Sequence, residues 1–409
     1  MRAFPLASLE SSRCEGNMRE IYRQLADAGI LFFEYGVTAL DAYYDEKPRP
    51  VHFVVAECSV IDLARCFSEL QYPNLPYADA ALDTCEASLA LRTRFAESGG
   101  APAGAIQESS MQESSVRFLC TEDALHCEVG GSWANFRRNP QSDIFYDQGN
   151  IYDDLKAKAI PSCNTDTDNA LFESAALATF HPEGYRLAKE PIPLPACTSS
   201  YFQKDLLITV LTGPYPAAGL ELLKKSGFIA REWPEIALLD DVDHAKDYHP
   251  EGNGWNHTLQ TFSYRKERDL VLSLALLLHD IGKPESLSRE GKRFDQHAEL
   301  GARRARKFLA RLGFSTTTQE DVAFLIRYHM MPAALSVLPI QKTEPVITDP
   351  RFPALLELFR CDEFSSYKDP EGYYEACNAY QTIRRNMKNP YRNADGSLKS
   401  RSKRTIAHY

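Results

Sequence analysis

No stretch of the 409-residue sequence is long and apolar enough to span a bilayer, which takes about 20 consecutive apolar residues, and this argues against a membrane partner. The N-terminal stretch MRAFPLASLESSRCEGNMRE lacks the apolar core of a secretory signal. The ten cysteines are scattered, with no Cys-x-x-Cys and no paired metal-ligand spacing, so neither structural zinc nor a disulfide framework is expected. A reducing, cytoplasmic setting fits these absences. Basic excess is missing as well. A net charge of −10 argues against a surface coated throughout by nucleic acid and leaves only local basic patches. What remains, 44% hydrophobic and 25% charged residues, is the composition of a globular chain. It is too long for one ordinary core, which predicts two or three domains.

The chain is organised around residues 255–284, WNHTLQTFSYRKERDLVLSLALLLHDIGKP. The apolar run predicts a buried helix with the pair His279-Asp280 at its C-terminal end. Ile281-Gly282-Lys283-Pro284 stops it, glycine by taking a left-handed cap and proline by being unable to continue. One His-Asp pair is a weak sign of a metal site, but further residues of ligand type lie in or beside other helical patterns. His257 precedes the run, and His297 opens DQHAELGARRARKFLARLGF, whose Leu300, Ala305, Phe308, Leu309 and Leu312 share a face while Arg303, Arg304 and Lys307 can point outward. His329 closes TTTQEDVAFLIRYHM, where Thr317-x-x-Glu320 has the form of a capping box. Asp362 lies in FPALLELFRCDEF. Separate amphipathic helices can bring such ligands to one pocket.

HPEGNGWNHTL, ALLLHDIGKP, QHAELGARRARKFLARLGF, RYHM and ELFRCDEFSS, in this order, resemble the HD phosphohydrolase superfamily, and within it the HD domain of bacterial tRNA nucleotidyltransferases (CCA-adding enzymes) and poly(A) polymerases. The resemblance covers roughly residues 246–370. It implies that His257, His279, Asp280 and Asp362 hold one divalent ion, and that His297 and His329 lie where some members bind a second, with Asp280 bridging. Imidazole and carboxylate suit Mn, Fe, Co, Ni or Zn, and such an ion lowers the pKa of water and neutralises phosphate oxygens. Lys283 is placed to touch a phosphate, or equally to sit as a solvated helix-end lysine.

Residues 18 to 70 read as helix, strand, helix, strand, helix, the alternation of an α/β layer. Their order resembles the nucleotidyltransferase head of the same enzymes, with departures where its chemistry lies. Tyr35-Gly36-Val37-Thr38-Ala39-Leu40 stands for Gly-Gly-x-x-Arg-Asp, and Pro50-Val51-His52-Phe53 for Asp-x-Asp-Phe. Two-metal nucleotidyl transfer needs those carboxylates, so the head is expected to keep the fold and lack the reaction. An unrelated α/β domain is the alternative. ESGGAPAGAIQESSMQESS predicts a loop, and SDIFYDQGNIYDDLKAKAI resembles the segment that closes the family's head, or is an ordinary turn before a helix. Residues 161–245 read as a helical neck. After residue 370 the chain turns basic, and Arg384, Arg385, Arg401, Lys403 and Arg404 either contact a phosphate backbone or solubilise a tail.

These readings predict an α+β chain: a degenerate nucleotidyltransferase-like head (1–160), the neck (161–245), an all-α HD domain (246–370) and a basic tail (371–409). The function expected from the resemblance is a metal-dependent phosphohydrolase in which Asp280 and Lys283 serve catalysis. Its substrate is a nucleotide, cyclic nucleotide or RNA-end phosphoester, with tRNA a candidate partner. A non-catalytic RNA or nucleotide binding protein is the rival, and an active nucleotidyltransferase survives if the register at residues 35–53 is misread.

Overall fold

The computed structural model describes residues 13–83, 114–126, 133–160, 167–182, 184–187, 192–196, 198–242, 252–289, 292–366 and 371–398. The chain divides into two compact units, Met1–Ala237 with Glu267–Ser273 and Phe308–Thr318, and Leu238–Lys266 with Leu274–Lys307 and Gln319–Tyr409. It is α+β, with the main sheet in its N-terminal part and a helical C-terminal part. Among the described residues no helix is long and apolar enough to cross a membrane.

The N-terminal part runs α1 (Arg13–Asp27), β1 (Phe32–Tyr35), α2 (Val37–Tyr43), β2 (Val51–Glu57), α3 (Val60–Cys66), β3 (Ala80–Asp83), β4 (Ser115–Thr121), β5 (Phe136–Asn139) and β6 (Ile144–Asp147). The alternation expected for residues 18 to 70 is thus observed. The strands form one sheet in the order β3-β4-β2-β1-β5-β6, with β2 and β4 parallel and the other pairs antiparallel. VHFVVAE becomes the inner strand β2 because it is apolar on both faces, and only its last residue is exposed. Side chains alternate along it. Val54 and Ala56 join Phe32, Val116 and Phe118 in a core with Met18, Ile21 and Leu25 of α1 and Leu63 of α3.

The opposite face carries Tyr35 and Phe53, whose rings lie 5.7 Å apart. They continue into Trp133, 5.1 Å from Phe53, and Phe172, 6.0 Å from it. Gly36 is required here: its φ is +60°, and a Cβ would lie 2.8 Å from the Trp133 ring. The glycine kept at this turn therefore has a packing reason.

The first unit continues with α4 (Ile151–Lys156), a short parallel pair β7 (Ala159–Ile160) and β8 (Arg186–Leu187), and the helices α5 (Thr167–Ala178), α6 (Ser200–Leu211), α7 (Pro216–Lys225), α8 (Phe228–Glu232) and α9 (Pro234–Ala237). Asp147 accepts from the backbone N–H groups of Ile151 and Tyr152, both at 3.0 Å, so its local role is to cap α4. Two buried ion pairs tie α6 to the sheet region. Arg117 of β4 grips Asp205 of α6 at 2.6 and 2.7 Å. Arg49 grips Asp41 of α2 at 2.9 and 3.2 Å and donates to the Thr209 carbonyl at 2.8 Å. The loop expected between residues 97 and 115 lies almost wholly outside the described residues.

The C-terminal part comprises α10 (Gly254–Thr261), α11 (Leu270–Leu278), the hairpin β9 (Leu287–Arg289) and β10 (Lys292–Asp295), α12 (His297–Arg311), α13 (Thr316–Tyr328), α14 (Ile340–Ile347), α15 (Phe352–Ser365) and α16 (Glu371–Lys388). Three local expectations are corrected. Gly282 does not take a left-handed cap, since its φ is −85°; it is glycine because a Cβ would lie 2.1 Å from the His297 carbonyl oxygen and 2.6 Å from the Gly301 nitrogen. The cap of α13 is Ser315, whose hydroxyl accepts from the Thr318 N–H at 3.1 Å, while Glu320 instead pairs with Arg306 at 2.7 Å. Residues 371–388 are no loose tail: α16 lays Tyr380 against Phe352 of α15, with ring centroids 4.7 Å apart, and buries Ala376.

Candidate metal centre

α11 is LVLSLALLL, apolar on every side, and it is buried along its length. The chain leaves the helix at Leu278, so the last carbonyls of α11 lack their usual helical donors. His279 supplies one: its Nδ1–H donates to the Leu276 carbonyl at 2.8 Å. The same device recurs at the end of α13, where the His329 Nδ1–H donates to the Ile326 carbonyl at 2.7 Å. In both rings this places a proton on Nδ1, so that the neutral form offers its lone pair at Nε2. Helix ends thus fix tautomer and direction together.

The Asp280 carboxylate lies between two groups of imidazoles. Its Oδ2 is 3.3 Å from His279 Nε2 and 4.0 Å from His257 Nε2, and its Oδ1 is 3.8 Å from His297 Nε2. His297 and His329 face each other through Nε2 at 3.2 Å. The donors of His257, His279 and Asp280 form one group with metal-ligand spacing, and those of Asp280, His297 and His329 form another. Asp362 borders the first group, with Oδ1 3.0 Å from His257 Nε2 and 3.9 Å from His279 Nε2. All six residues of ligand type named from the sequence are therefore brought together. Lys283 joins them, with Nζ 2.5 Å from Asp280 Oδ2.

The electrostatics match a cation site. Burial works to raise the Asp280 carboxyl, but His279, Lys283 and His257 override it and hold the group well below the usual carboxylate range. Asp362 is held down in the same way against its burial, by the hydrogen bond to His257 and the charges of His279 and His257. His329 is pushed down to about 4 by burial and then by His297 and His279, which favours its neutral form. Lone pairs facing one another at 3 to 4 Å repel unless a proton or a cation lies between them. His279 Nε2 is moreover buried without a hydrogen-bond partner, a costly state for a polar atom. Imidazoles and carboxylates together are a donor set for a divalent transition metal.

The basic residues named for nucleic acid do not join this cluster. Arg384 and Arg385 are exposed on α16, where Arg384 donates to the Tyr380 hydroxyl at 2.9 Å; Arg401, Lys403 and Arg404 lie outside the described residues. Two contributors escaped the sequence reading. Arg304, expected to point outward, turns in to donate to the Ile281 carbonyl at 2.9 Å and to pair with Glu285, bracing the turn after Asp280. Ser365 touches His257 Nδ1 at 3.3 Å; its place one helical turn after Asp362 was the available signal.

The HD domain family matches residues 254–348, the span that holds His257, His279, Asp280, His297 and His329. The CC-adding tRNA nucleotidyltransferase of Thermus thermophilus is 34% identical over 172 residues, 40% of this chain and 36% of that protein. The multifunctional CCA protein of Halorhodospira halophila is 29% identical over 164 residues, 37% of this chain and 40% of that protein. The Bacillus stearothermophilus CCA-adding enzyme in complex with CTP aligns over 91% of this chain and 84% of its own, at 12% identity and a TM-score of 0.46. This chain carries an HD domain and is related to the bacterial CCA-adding tRNA nucleotidyltransferases. Its matches span only about two fifths of those curated relatives' length.

Proposed function

We propose that this chain is a metal-dependent phosphohydrolase acting on a nucleotide, a cyclic nucleotide or an RNA-end phosphate, and that its N-terminal head does not transfer nucleotides. The observation that carries the reading is Asp280, one buried carboxylate whose two oxygens face two sets of imidazole nitrogens. A divalent transition metal held by His257, His279, Asp280 and Asp362, with a second held by Asp280, His297 and His329, would supply Lewis acidity and an activated water at neutral pH. The chain's own part is to aim the imidazoles and to present Lys283 as a point charge for a phosphate oxygen. RNA, including tRNA, is the proposed partner class, and a reducing cytoplasm the proposed setting. A purely binding role is disfavoured because the buried polar cluster is costly without a cation.

The loss of transfer is supported in two registers. In the register read from the sequence, Pro50 and His52 replace the carboxylates, and by alternation His52 shares the Val54 face that packs on α1 and α3. Shifted by one, the positions are Val51 and Phe53, and Phe53 is sealed among aromatic rings. Asp41 is no substitute, because Arg49 occupies both of its oxygens in a buried pair.

The test is ring opening of 2′,3′-cyclic AMP to the nucleoside monophosphate, and phosphate release from AMP, with Mn²⁺, Co²⁺ or Ni²⁺, run beside incorporation of labelled CTP and ATP into tRNA lacking its terminal nucleotides with Mg²⁺. Hydrolysis abolished by Asp280→Ala, with no incorporation, is expected. Incorporation above a heat-killed control overturns the loss of transfer, and absence of hydrolysis with every metal leaves the binding role in its place.

A further inference from the structure

Three imidazoles of the cluster are buried, those of His257, His279 and His329, and each must carry its proton on Nδ1 to offer Nε2 to a metal. His279 and His329 are held by backbone carbonyls of their own helix ends, which no substitution removes. His257 is held differently. It lies in the first turns of α10, and its Nδ1 faces the Ser365 hydroxyl of α15 at 3.3 Å. That hydroxyl also lies 2.7 Å from the Asp362 carbonyl oxygen. A carbonyl oxygen can only accept, so the short contact takes the hydroxyl's single proton. The contact to His257 must then run from the ring N–H to the serine oxygen, which places a proton on His257 Nδ1, so that in the neutral ring the lone pair lies on Nε2.

We infer that Ser365 is a positioning residue of the metal site, setting the tautomer of His257 through the contact of its hydroxyl with Nδ1; this rests on the metal-site reading above. The competing tautomer is close at hand. With the proton on Nε2, His257 donates to Asp362 Oδ1, 3.0 Å away, and closes the ligand position with a hydrogen bond. Ser365 and Asp362 share one helical turn of α15, so the same element that brings the carboxylate also fixes the imidazole. Ser365 is itself 2% exposed, which leaves water little access to replace the hydroxyl.

The experiment uses the full chain as wild type, Ser365→Ala and Ser365→Thr, with Co²⁺ alone as the probe in competition against a chelating dye. Metal-free samples are compared in parallel by ¹⁵N NMR of the histidine rings, the His257 signals being those that disappear in His257→Gln. Ser365→Ala is expected to weaken Co²⁺ binding by roughly 10- to 100-fold and to move the His257 proton toward Nε2, and Ser365→Thr, which keeps the hydroxyl, to restore both. Co²⁺ affinity within twofold of wild type in Ser365→Ala overturns the inference. So does a loss of affinity without a tautomer change, because the effect then does not pass through the imidazole. If the wild type binds no Co²⁺, the metal-site reading fails by itself, and the ring tautomer in the metal-free samples still decides the role of Ser365.

Discussion

Asp205→Ala tests the ion pair that fastens α6 to the sheet. Arg117 has a side chain 1% exposed and Asp205 one that is fully buried, so the substitution strands a guanidinium where water cannot replace its partner. It removes two charge-assisted bonds, at 2.6 and 2.7 Å, and the acceptor of the Tyr77 hydroxyl at 3.0 Å. The hydrogen bonds that remain to Arg117 go to Asp83 at 3.1 Å and its neighbour's carbonyl at 3.3 Å. Breaking a buried pair from one side costs about 3–5 kcal/mol, and partial rescue by Asp83 places the expected loss near the lower end. Removing both charges, as Arg117→Met with Asp205→Leu, takes away the orphan and should cost less than Asp205→Ala alone. Urea unfolding of the single and double variants, followed by tryptophan fluorescence because Trp133 belongs to the same unit, reads the difference. A loss below about 1 kcal/mol for Asp205→Ala, or a double variant worse than the sum of the singles, refutes the reasoning.

Burial pushes His52 down to about 4, so its contribution to stability is fully present above the unfolded value near pH 6.5 and is lost as pH falls toward 4, by about 3 kcal/mol in all. His52→Gln should flatten the pH dependence of urea stability between pH 7 and 4, and an equally steep profile contradicts the assignment. Gly282→Ala forces a Cβ against two backbone atoms and should cost about 3 kcal/mol or more together with metal binding; a variant with native stability and metal content shows that the approach of α12 is not tight. Because α16 is packed, RNA binding by its basic end is tested with Arg384→Ala and Arg385→Ala instead of truncation. For each phosphate that a variant no longer neutralises, the slope of log K against log salt should fall by about 0.7 to 0.9, and an unchanged slope assigns these residues to solubility.

The sequence announced what depends on local pattern. The apolar run of α11, the β-rich strand β2 and the apolar face of α12 were legible, and so were the six ligand-type residues, because their order resembles a known family. What stayed hidden depends on partners distant in the chain. The reason for Gly282 lies in α12, where the His297 carbonyl and Gly301 approach it, while glycine before lysine and proline reads locally as a helix stop. Arg304 sits where an outward face was expected, yet the carbonyl it satisfies belongs to the turn after Asp280. Thr317 and Glu320 had the right spacing for a capping box, but Ser315 took the position one step outside the helix. The facing of His52 needed α1 and α3, which sequence alternation cannot locate on one side of β2 or the other. Ser365 was invisible for a similar reason, since its value lies in a ring more than a hundred residues away.

The central claim is that the cluster around Asp280 holds a transition metal, and elemental analysis of the purified full chain tests it most directly. After growth or incubation with Mn²⁺, Fe²⁺, Co²⁺, Ni²⁺ and Zn²⁺ and removal of loosely bound ions, the wild type should retain about one or two ions per chain. Asp280→Ala should retain almost none, because it loses the carboxylate shared by both groups of donors. A wild type without stoichiometric metal under all five conditions, or an Asp280→Ala variant that keeps its full complement, contradicts the account.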